Sequence, residues 1–309
     1  MSQMQPQGVR KLRRVLVVMK KTTYQQEVIE RQDPKALQML AEGNPSVLQW
    51  IKTDEEHRGT LSVVEEAMRT LAIDYKLIDR SQLADEHGEY DLVIAFGGDG
   101  TFLETSHGLT TTPLLGVNSA PLTSHGHWCL GRKDSFEKVL NEIADGTRLP
   151  VPVMRLEIAV NGKALPIPVL NELFFGHASP AGTTRFLLEI KGLCEDLRSS
   201  GILVGPGVGS TGWMRSAGGV VMPVTSQSFQ YFVREPCVWP GENPQLLKGL
   251  LQRGDTLKMV PKMTEGKIFI DGAHIIYDIS RGDEIVVGAH PHDLIAYTAP
   301  EANDSYLPG

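Results

Sequence analysis

The stretch Asp91-Leu-Val-Ile-Ala-Phe-Gly-Gly-Asp-Gly-Thr101 joins an apolar run to a glycine-rich loop that carries one carboxylate. Its apolar part, residues 92–96, shows no alternation of polar and apolar side chains, which predicts a buried strand of a parallel sheet. Open α/β sheets bind their ligands beyond the carboxyl ends of such strands. The stretch therefore predicts an α/β fold with a ligand site at the loop.

The composition of this loop suits phosphate. Gly97, Gly98 and Gly100 carry no Cβ, so backbone amides there can approach phosphate oxygens closely. Asp99 is the exception, because a carboxylate repels a bare phosphate; it suits a Mg²⁺ contact or the acceptance of a proton from an attacking hydroxyl. Thr101 is expected to cap a short helix. An ordinary turn is the alternative, although a turn does not require three glycines around one acid.

Strand and helix patterns alternate over the first half of the chain. Strands are predicted at residues 15–19, 74–79, 92–96 and 114–117. Helices are predicted at about residues 25–51, with an interruption at Asn44-Pro45, and at residues 60–71. Such alternation indicates a doubly wound sheet.

The second half is different, since short β-rich runs dominate from about residue 150. Two of these runs meet at Asp271-Gly272, which predicts a hairpin with a two-residue type I′ turn. A chain of 309 residues suggests about two domains. We predict an α/β domain over residues 1–148 and a mainly antiparallel β domain over residues 149–290, while residues 291–309 could return to the first domain.

Charge and cysteine content exclude several classes of protein. The net charge of −7 argues against a nucleic-acid or anionic-membrane binder, because both need a clustered positive field, and the basic group Arg10-Lys-Leu-Arg-Arg14 is too short to change this. Three widely spaced cysteines suit a reducing compartment, and no window has the apolar run of a membrane span. A cytoplasmic location is expected; because the first 26 residues contain no acid, a mitochondrial targeting segment stays open.

A second glycine-rich loop, Gly205-Pro-Gly-Val-Gly-Ser-Thr-Gly-Trp213, follows a β-rich run. Its glycines match the dinucleotide pattern G-x-G-x-x-G, but they lie outside a βαβ unit, so a Rossmann oxidoreductase is a poor interpretation. The hydroxyls of Ser210 and Thr211, with several backbone amides, suit a base edge, a ribose or a phosphate. A tight bend between strands is the alternative.

Other polar clusters are weaker candidates. His125, His127 and Cys129 alternate along the chain, so on an extended segment they would share one face. A zinc site needs a fourth ligand and none is evident nearby, so no metal site is predicted. Four cations are candidates for phosphate contacts, and the sequence does not choose among them: Arg132, Lys133, Arg185 and Arg215.

Four motifs in series resemble those of the NAD kinase family. In chain order they are Gly-Gly-Asp-Gly-Thr at 97–101, Asn171-Glu172, Gly-Ser-Thr at 209–211 leading to Ser-Ala-Gly-Gly, and Asp271-Gly272. The first motif alone is shared with lipid kinases and phosphofructokinases, whereas the series is more specific and spans most of the chain. The stretch from Gly116 through Asn118 to Leu130 is most similar to the mitochondrial-type branch of the family.

The resemblance implies a phosphofructokinase-like N-terminal domain, a β-sandwich C-terminal domain and an active site in the cleft between them. It implies that Asp99 acts on the 2′-hydroxyl of the adenosine ribose of NAD, with Mg²⁺ held mainly by ATP oxygens and water. ATP and NAD are the expected substrates, and a homodimer is the expected assembly. Phosphate and nucleotide contacts are implied for Gly97, Gly98, Gly100, Thr101 and Asn118, and NAD contacts for Asn171, Glu172, Ser210, Thr211 and Asp271.

Two positions depart from the family pattern. Ser199-Ser200 stand where an acid usually precedes the glycine, and Trp213 replaces the usual Tyr. Two other functions therefore stay open. A diacylglycerol- or sphingosine-type lipid kinase would share the first motif but should carry a basic or amphipathic surface for the membrane. A dinucleotide-binding regulator without transfer activity would fit the two departures.

Overall fold

A computed structural model describes residues 12–299 of the chain. Arg10 and Lys11 of the basic group, and residues 300–309 of the predicted returning segment, lie outside the described residues. The described chain divides into two compact units. The first contains residues 12–151 and Ile295–Ala299, and the second contains Pro152–Leu294.

The first unit is built on a mainly parallel sheet with helices between its strands. Its elements in chain order are β1 (Arg14–Met19), a π-helical segment (Tyr24–Glu30), α1 (Pro34–Ala41), α2 (Pro45–Thr70), β2 (Asp74–Asp79), a 3₁₀ helix (Arg80–Asp85), β3 (Leu92–Gly97), α3 (Asp99–His107), β4 (Leu114–Asn118), β5 (Cys129–Gly131), α4 (Phe136–Ala144) and β6 (Val151–Val153).

The strand order of this sheet is β2-β1-β3-β4, with all three pairings parallel. β4 also pairs in parallel with β5 and with β19 (Leu294–Tyr297), the last described strand of the chain. β3 is buried along its whole length, because helices cover both faces of a parallel sheet. The predicted doubly wound arrangement is confirmed by this order.

The helices differ from their predicted bounds. α1 and α2 each begin at a proline, after Asp33 and Asn44, whose side chains accept hydrogen bonds from the amides of Ala36 and Ser46. The chain is therefore interrupted at Asp33 as well as at Asn44. α2 then continues unbroken to Thr70, so the predicted end near residue 51 is wrong. The middle turns of α2 bury polar side chains, so the spacing of apolar residues that identifies a helix in the sequence is interrupted there.

The second unit consists of two antiparallel sheets of six strands each. The first sheet has the order β11 (Leu193–Ser199), β10 (Thr184–Ile190), β15 (Thr256–Pro261), β18 (Ile285–Ala289), β7 (Leu156–Val160) and β8 (Lys163–Ala164). The second has the order β14 (Lys248–Gln252), β13 (Ser228–Arg234), β12 (Gly201–Pro206), β9 (Leu173–His177), β16 (Gly266–Ile270) and β17 (Ile275–Ile279).

One apolar core joins these two sheets into a sandwich. Phe175 of β9 meets Phe186 of β10 edge to face, with 5.7 Å between ring centroids. Apolar residues of both sheets alternate into this core, as a half-buried antiparallel strand requires. The predicted fold class, α/β followed by an all-β sandwich, is confirmed.

The hairpin predicted at Asp271-Gly272 forms between β16 and β17, but the two-residue turn is wrong. Ile270 pairs with Ile275, so four residues connect the strands. Asp271 has a φ of 52° and Gly272 a φ of 116°. The longer loop turns the Asp271 carboxylate toward neighbouring backbone amides, which a tight hairpin turn would not do.

Candidate active site

The glycine-rich loop of the first unit lies where β3 ends and α3 begins. Gly98 is extended and caps α3, and its carbonyl oxygen accepts hydrogen bonds from the amides of Thr101 and Phe102, each at 3.0 Å. Thr101 therefore lies inside the first turn, and the prediction that it caps the helix is wrong. The extended Gly98 directly precedes the helix, so the cap lies three residues earlier than expected and α3 begins at Asp99.

Packing requires glycine at two positions of this loop, whereas the third position has room for a side chain. A Cβ at Gly97 would overlap the Thr101 side chain, and a Cβ at Gly98 would overlap the Ser124 hydroxyl. A Cβ at Gly100 would meet nothing within 4 Å. The Thr101 hydroxyl itself is buried. The accessible part of the loop is thus the backbone around Gly100, where the first amides of a helix can receive an anion.

The Asp99 carboxylate is held by two backbone amides. Its Oδ2 accepts a hydrogen bond from His127 N at 3.0 Å, and its Oδ1 accepts one from Trp128 N at 2.9 Å. The side chain is half-buried. A carboxylate has about four lone-pair positions, so both oxygens can accept a further hydrogen bond. The carboxylate is oriented by the protein and still able to bind a hydroxyl.

Asn118, at the end of β4, organises the segment that carries those amides. Its side chain is fully buried; Nδ2 donates to Ser124 O at 2.9 Å, and Oδ1 accepts from Ala120 N at 3.3 Å. Gly126 has a φ of +62°, and a Cβ there would overlap the Asn118 side chain. Asn118 therefore shapes the loop beside Asp99, and its predicted nucleotide contact stays a prediction.

A buried polar cluster on α2 supports the same loop from behind. His57 Nδ1 hydrogen-bonds Ser119 Oγ at 2.8 Å, and Ser119 Oγ donates to Gly97 O at 3.2 Å. Burial, and then the nearby charge of Lys20, lower the pKa of His57 to about 4. The cluster was missed by motif analysis. The three-residue spacing of Asp54, His57 and Thr60, which puts polar groups on one helical face, is the signal that could have found it.

In the second unit, Asp271 holds the Asn171-Glu172 segment. Its Oδ1 accepts hydrogen bonds from Asn171 N at 2.7 Å and Glu172 N at 3.1 Å, and its Oδ2 accepts one from Leu170 N at 3.0 Å. Asp271 N donates in turn to Glu172 O at 2.9 Å. Two of the four motifs, separated by about a hundred residues, are thus joined by direct hydrogen bonds.

Glu172 is a buried acid, and one of its carboxyl oxygens has no hydrogen-bond partner among the described residues. Only 5% of the residue is exposed, and this oxygen is Oε2. Burial, followed by repulsion from Asp271, raises the pKa of Glu172 to about 7. Such a carboxyl can donate or accept a hydrogen bond near neutral pH, which suits recognition of a hydroxyl or a base edge.

The second glycine-rich loop lies against the same segment. It forms a 3₁₀ turn, Gly207–Thr211, followed by a short helix, α5 (Trp213–Ala217). A Cβ at Gly209 would overlap the backbone carbonyl of Asn171, so only glycine allows this approach. The Ser210 hydroxyl is buried and bonds to the backbone of Gly207 and Met222, whereas Thr211 is half-buried.

An aromatic group lies beside this loop. Trp213 packs against Phe174 with 5.0 Å between ring centroids, and the Arg234 guanidinium lies 5.1 Å from the Trp213 ring. Trp213 is 37% exposed. The substitution of Trp for the usual Tyr therefore keeps an aromatic face at this position.

The structure assigns no metal site to the histidine-cysteine stretch. The His125 and His127 rings stack with 6.1 Å between centroids, while Cys129 is buried. Within residues 12–299, no three or more His, Cys, Asp and Glu side chains are grouped so that they could hold a metal ion. None of the helices in that part of the chain combines the length and the apolar character that a membrane crossing requires.

The predicted site residues thus fall into two groups, one in each unit. The structure brings Gly97, Gly98, Asp99, Gly100, Thr101 and Asn118 together at the end of β3 and β4. It brings Asn171, Glu172, Ser210, Thr211 and Asp271 together at one end of the second sheet of the sandwich.

Known proteins resemble this chain in sequence and in fold. A family model described as the ATP-NAD kinase N-terminal domain matches residues 15–147. A protein of Oryza sativa subsp. japonica named probable NADH kinase is 33% identical over 273 residues, which are 81% of this chain and 84% of that protein. NAD kinase 2, mitochondrial, of Homo sapiens is 26% identical over 250 residues, 65% of this chain and 57% of that protein.

A solved structure agrees with these matches at the level of the fold. The NAD kinase of Archaeoglobus fulgidus in complex with ATP superposes with a TM-score of 0.66 and 17% identity, covering 94% of this chain and 96% of that one. The chain belongs to the NAD kinase family. It is accordingly an ATP-dependent kinase that acts on NAD(H), and the predicted family and enzyme class are confirmed.

Proposed function

We propose that the chain transfers the γ-phosphoryl group of MgATP to the 2′-hydroxyl of the adenosine ribose of NAD, producing NADP. The observation that carries this proposal is the Asp99 carboxylate, fixed by two backbone amides at the start of α3 beside the open backbone of Gly100. Mg²⁺ enters as part of the nucleotide substrate, held by phosphate oxygens and water.

In this mechanism Asp99 is the general base. The bond between the ribose 2′-oxygen and Pγ forms as the bond between Pγ and the bridging oxygen of ADP breaks, and the hydroxyl proton passes to the carboxylate. The amides of His127 and Trp128 fix the carboxylate without using its whole acceptor capacity. Positioning of this kind supplies much of the rate in phosphoryl transfer.

The remaining roles follow from accessibility. The backbone around Gly100 would bind phosphate, while the buried Gly97 and Gly98, with Thr101 and Asn118, would shape the loop. Asn171, Glu172 and Thr211 would contact the nucleoside of NAD. Asp271 and Ser210, whose side chains bond to backbone groups, would hold those residues in place.

NADH is a second candidate acceptor, because the rice relative is named a probable NADH kinase. Parallel assays with NAD and NADH at equal concentration, followed by NADP and NADPH, decide between them. The homodimer and the cytoplasmic location stay predictions, which light scattering of the pure protein and cell fractionation can check.

The decisive variant is Asp99→Asn. We expect it to fold and to form NADP about 10²–10⁴ times more slowly, because the amide cannot accept the proton. The matched control is Asp134→Asn, which changes an exposed carboxylate of the same unit and should keep its activity.

The affinity of the Asp99→Asn variant for NAD is measured as well, since an amide could disturb the loop. Near-normal turnover by a folded variant would remove Asp99 from the mechanism. Lipid phosphorylation by the wild-type protein, or NAD binding without turnover, would instead favour the lipid kinase or the regulator.

A further inference from the structure

Lys20 stands beside the candidate site and has no counter-ion among residues 12–299. It follows β1 directly, and its backbone amide donates to Phe96 O at 3.4 Å, which places it next to the last residues of β3. The side chain is half-buried, and it makes no ion pair or hydrogen bond with any other residue between 12 and 299. It lines a concave pocket of about 150 Å³ together with Asp79, Arg80 and Ser81.

The acids that line this pocket, Asp79 and Glu104, interact with residues other than Lys20. Arg80 forms an ion pair with Glu104 at 2.9 Å. Asp79 accepts hydrogen bonds from the backbone and hydroxyl of Ser81, as the cap of a 3₁₀ helix. The charge of Lys20 is therefore not neutralised by these neighbours.

Groups on α2 and β5 do not neutralise it either. Asp54 is occupied by Arg58, at 2.9 Å, and by the Thr22 hydroxyl, at 2.6 Å. Burial lowers the pKa of His57 and raises the pKa of the Cys129 thiol, so both are uncharged at neutral pH. Burial, and then repulsion by Arg80, also lower the pKa of Lys20, a cost that a bound anion would relieve.

The topology of the sheet places Lys20 where a ligand is expected. β1 has β2 on one side and β3 on the other, so the connections leaving β1 and entering β3 turn in opposite directions. In open α/β sheets ligands bind in the crevice at this reversal, outside the carboxyl ends of the strands. Lys20 directly follows β1 and the loop from Gly97 follows the adjacent β3, so both stand at the carboxyl ends of the strands that flank this reversal.

We propose that the Lys20 ammonium group binds a phosphate oxygen of the nucleotide that donates the phosphoryl group. This proposal rests on the proposed function, since it assigns a residue to the donor side of the same reaction. Lys20 would neutralise charge on the triphosphate and orient it against the amides at the start of α3. The Lys20 cation would be available to the ligand, because no acid between residues 12 and 299 forms an ion pair with it.

The test compares Lys20→Met with Lys76→Met, which removes an exposed lysine of the neighbouring strand that is ion-paired with Glu86 at 2.5 Å. The dissociation constants of MgATP and of NAD are measured separately, each in the absence of the other substrate. We expect Lys20→Met to bind MgATP roughly tenfold to a hundredfold more weakly, the loss typical of a hydrogen bond to a charged group. NAD affinity should stay unchanged, and Lys76→Met should match the wild type for both.

Lys20→Arg separates binding from packing, since it keeps the charge and should restore part of the MgATP affinity. If Lys20→Met does not fold, Lys20→Gln takes its place in the same comparison. Unchanged MgATP affinity in the folded variant, or a loss confined to NAD, would overturn the proposal. Failure of the wild-type protein to form NADP would refute the proposed function instead. The MgATP binding comparison would still test the role of Lys20, because it does not depend on turnover.

Discussion

At the scale of single residues, Glu172 has the clearest electrostatic consequence. It is buried next to Asp271, and its pKa is raised to about 7, so the folded chain holds a proton that the unfolded chain releases near pH 4.5. Stability should therefore fall as pH rises from about 4.5 to about 7, by as much as ~3 kcal/mol for this group alone.

Glu172→Gln removes this titration, because the side-chain amide does not ionise in this pH range. We expect the variant to melt at a higher temperature than the wild type at pH 8, and the difference to shrink toward pH 5. Glu265→Gln, at an exposed position of the same unit, is the control and should follow the wild type. A constant difference across the pH range would show that Glu172 is charged at both ends of it.

At the scale of elements, α2 supports the glycine-rich loop at residues 97–101 through its polar face. His57 is neutral in the fold, with a pKa lowered to about 4 from 6.5, so the folded chain binds a proton less readily than the unfolded chain. Its contribution to stability is complete above pH 6.5 and is lost as pH falls toward about 4. Protonation would also place a second positive charge near Lys20.

His57→Gln should therefore flatten the loss of stability on the acid side. The amide can still hydrogen-bond the Ser119 hydroxyl but has no proton to gain. We expect the melting temperature of the wild type to fall more steeply than that of the variant between pH 7 and pH 5. His87→Gln changes an exposed histidine and should leave the slope as it is. Identical slopes in all three proteins would contradict the assignment.

Periodicity and turn chemistry predict most helices and strands of this chain, but they do not predict the tertiary contacts between them. The run at β3 is apolar throughout, and this pattern predicts the strand correctly, because burial on both faces leaves an unambiguous signal. The sequence pattern divides α2 into two predicted helices, because its buried Asp54 and His57 look like solvent-exposed residues. Asp271 was recognised as a motif residue, yet its bonds to the amides of Leu170 and Asn171 depend on a tertiary contact.

At the scale of the whole molecule, the described end of the chain completes the first unit. Tyr297 of β19 is 9% exposed and belongs to the same core as Phe96, Leu115 and Val117. Tyr297→Ala should therefore destabilise the first unit by about 3 kcal/mol, the cost of emptying an aromatic site in a core.

Hydrogen exchange read by mass spectrometry can locate this effect. Peptides that cover β3 and β4 should exchange faster in Tyr297→Ala, while those that cover β10 and β12 of the second unit should not. The control Tyr277→Ala alters a partly buried tyrosine of β17 and should leave β3 and β4 unchanged. Faster exchange confined to the second unit in Tyr297→Ala would contradict the assignment of β19.

The pairing of β19 with β4 also has a consequence for biosynthesis. The ribosome makes β4 about 180 residues before the strand that completes its sheet, with the whole sandwich in between. A nascent chain can fold the sandwich while Leu114 and Leu115 of β4, which precede the residues paired with β5, still lack their neighbour. Until β19 emerges, this short unpaired stretch of β4 is where a chaperone would be expected to bind.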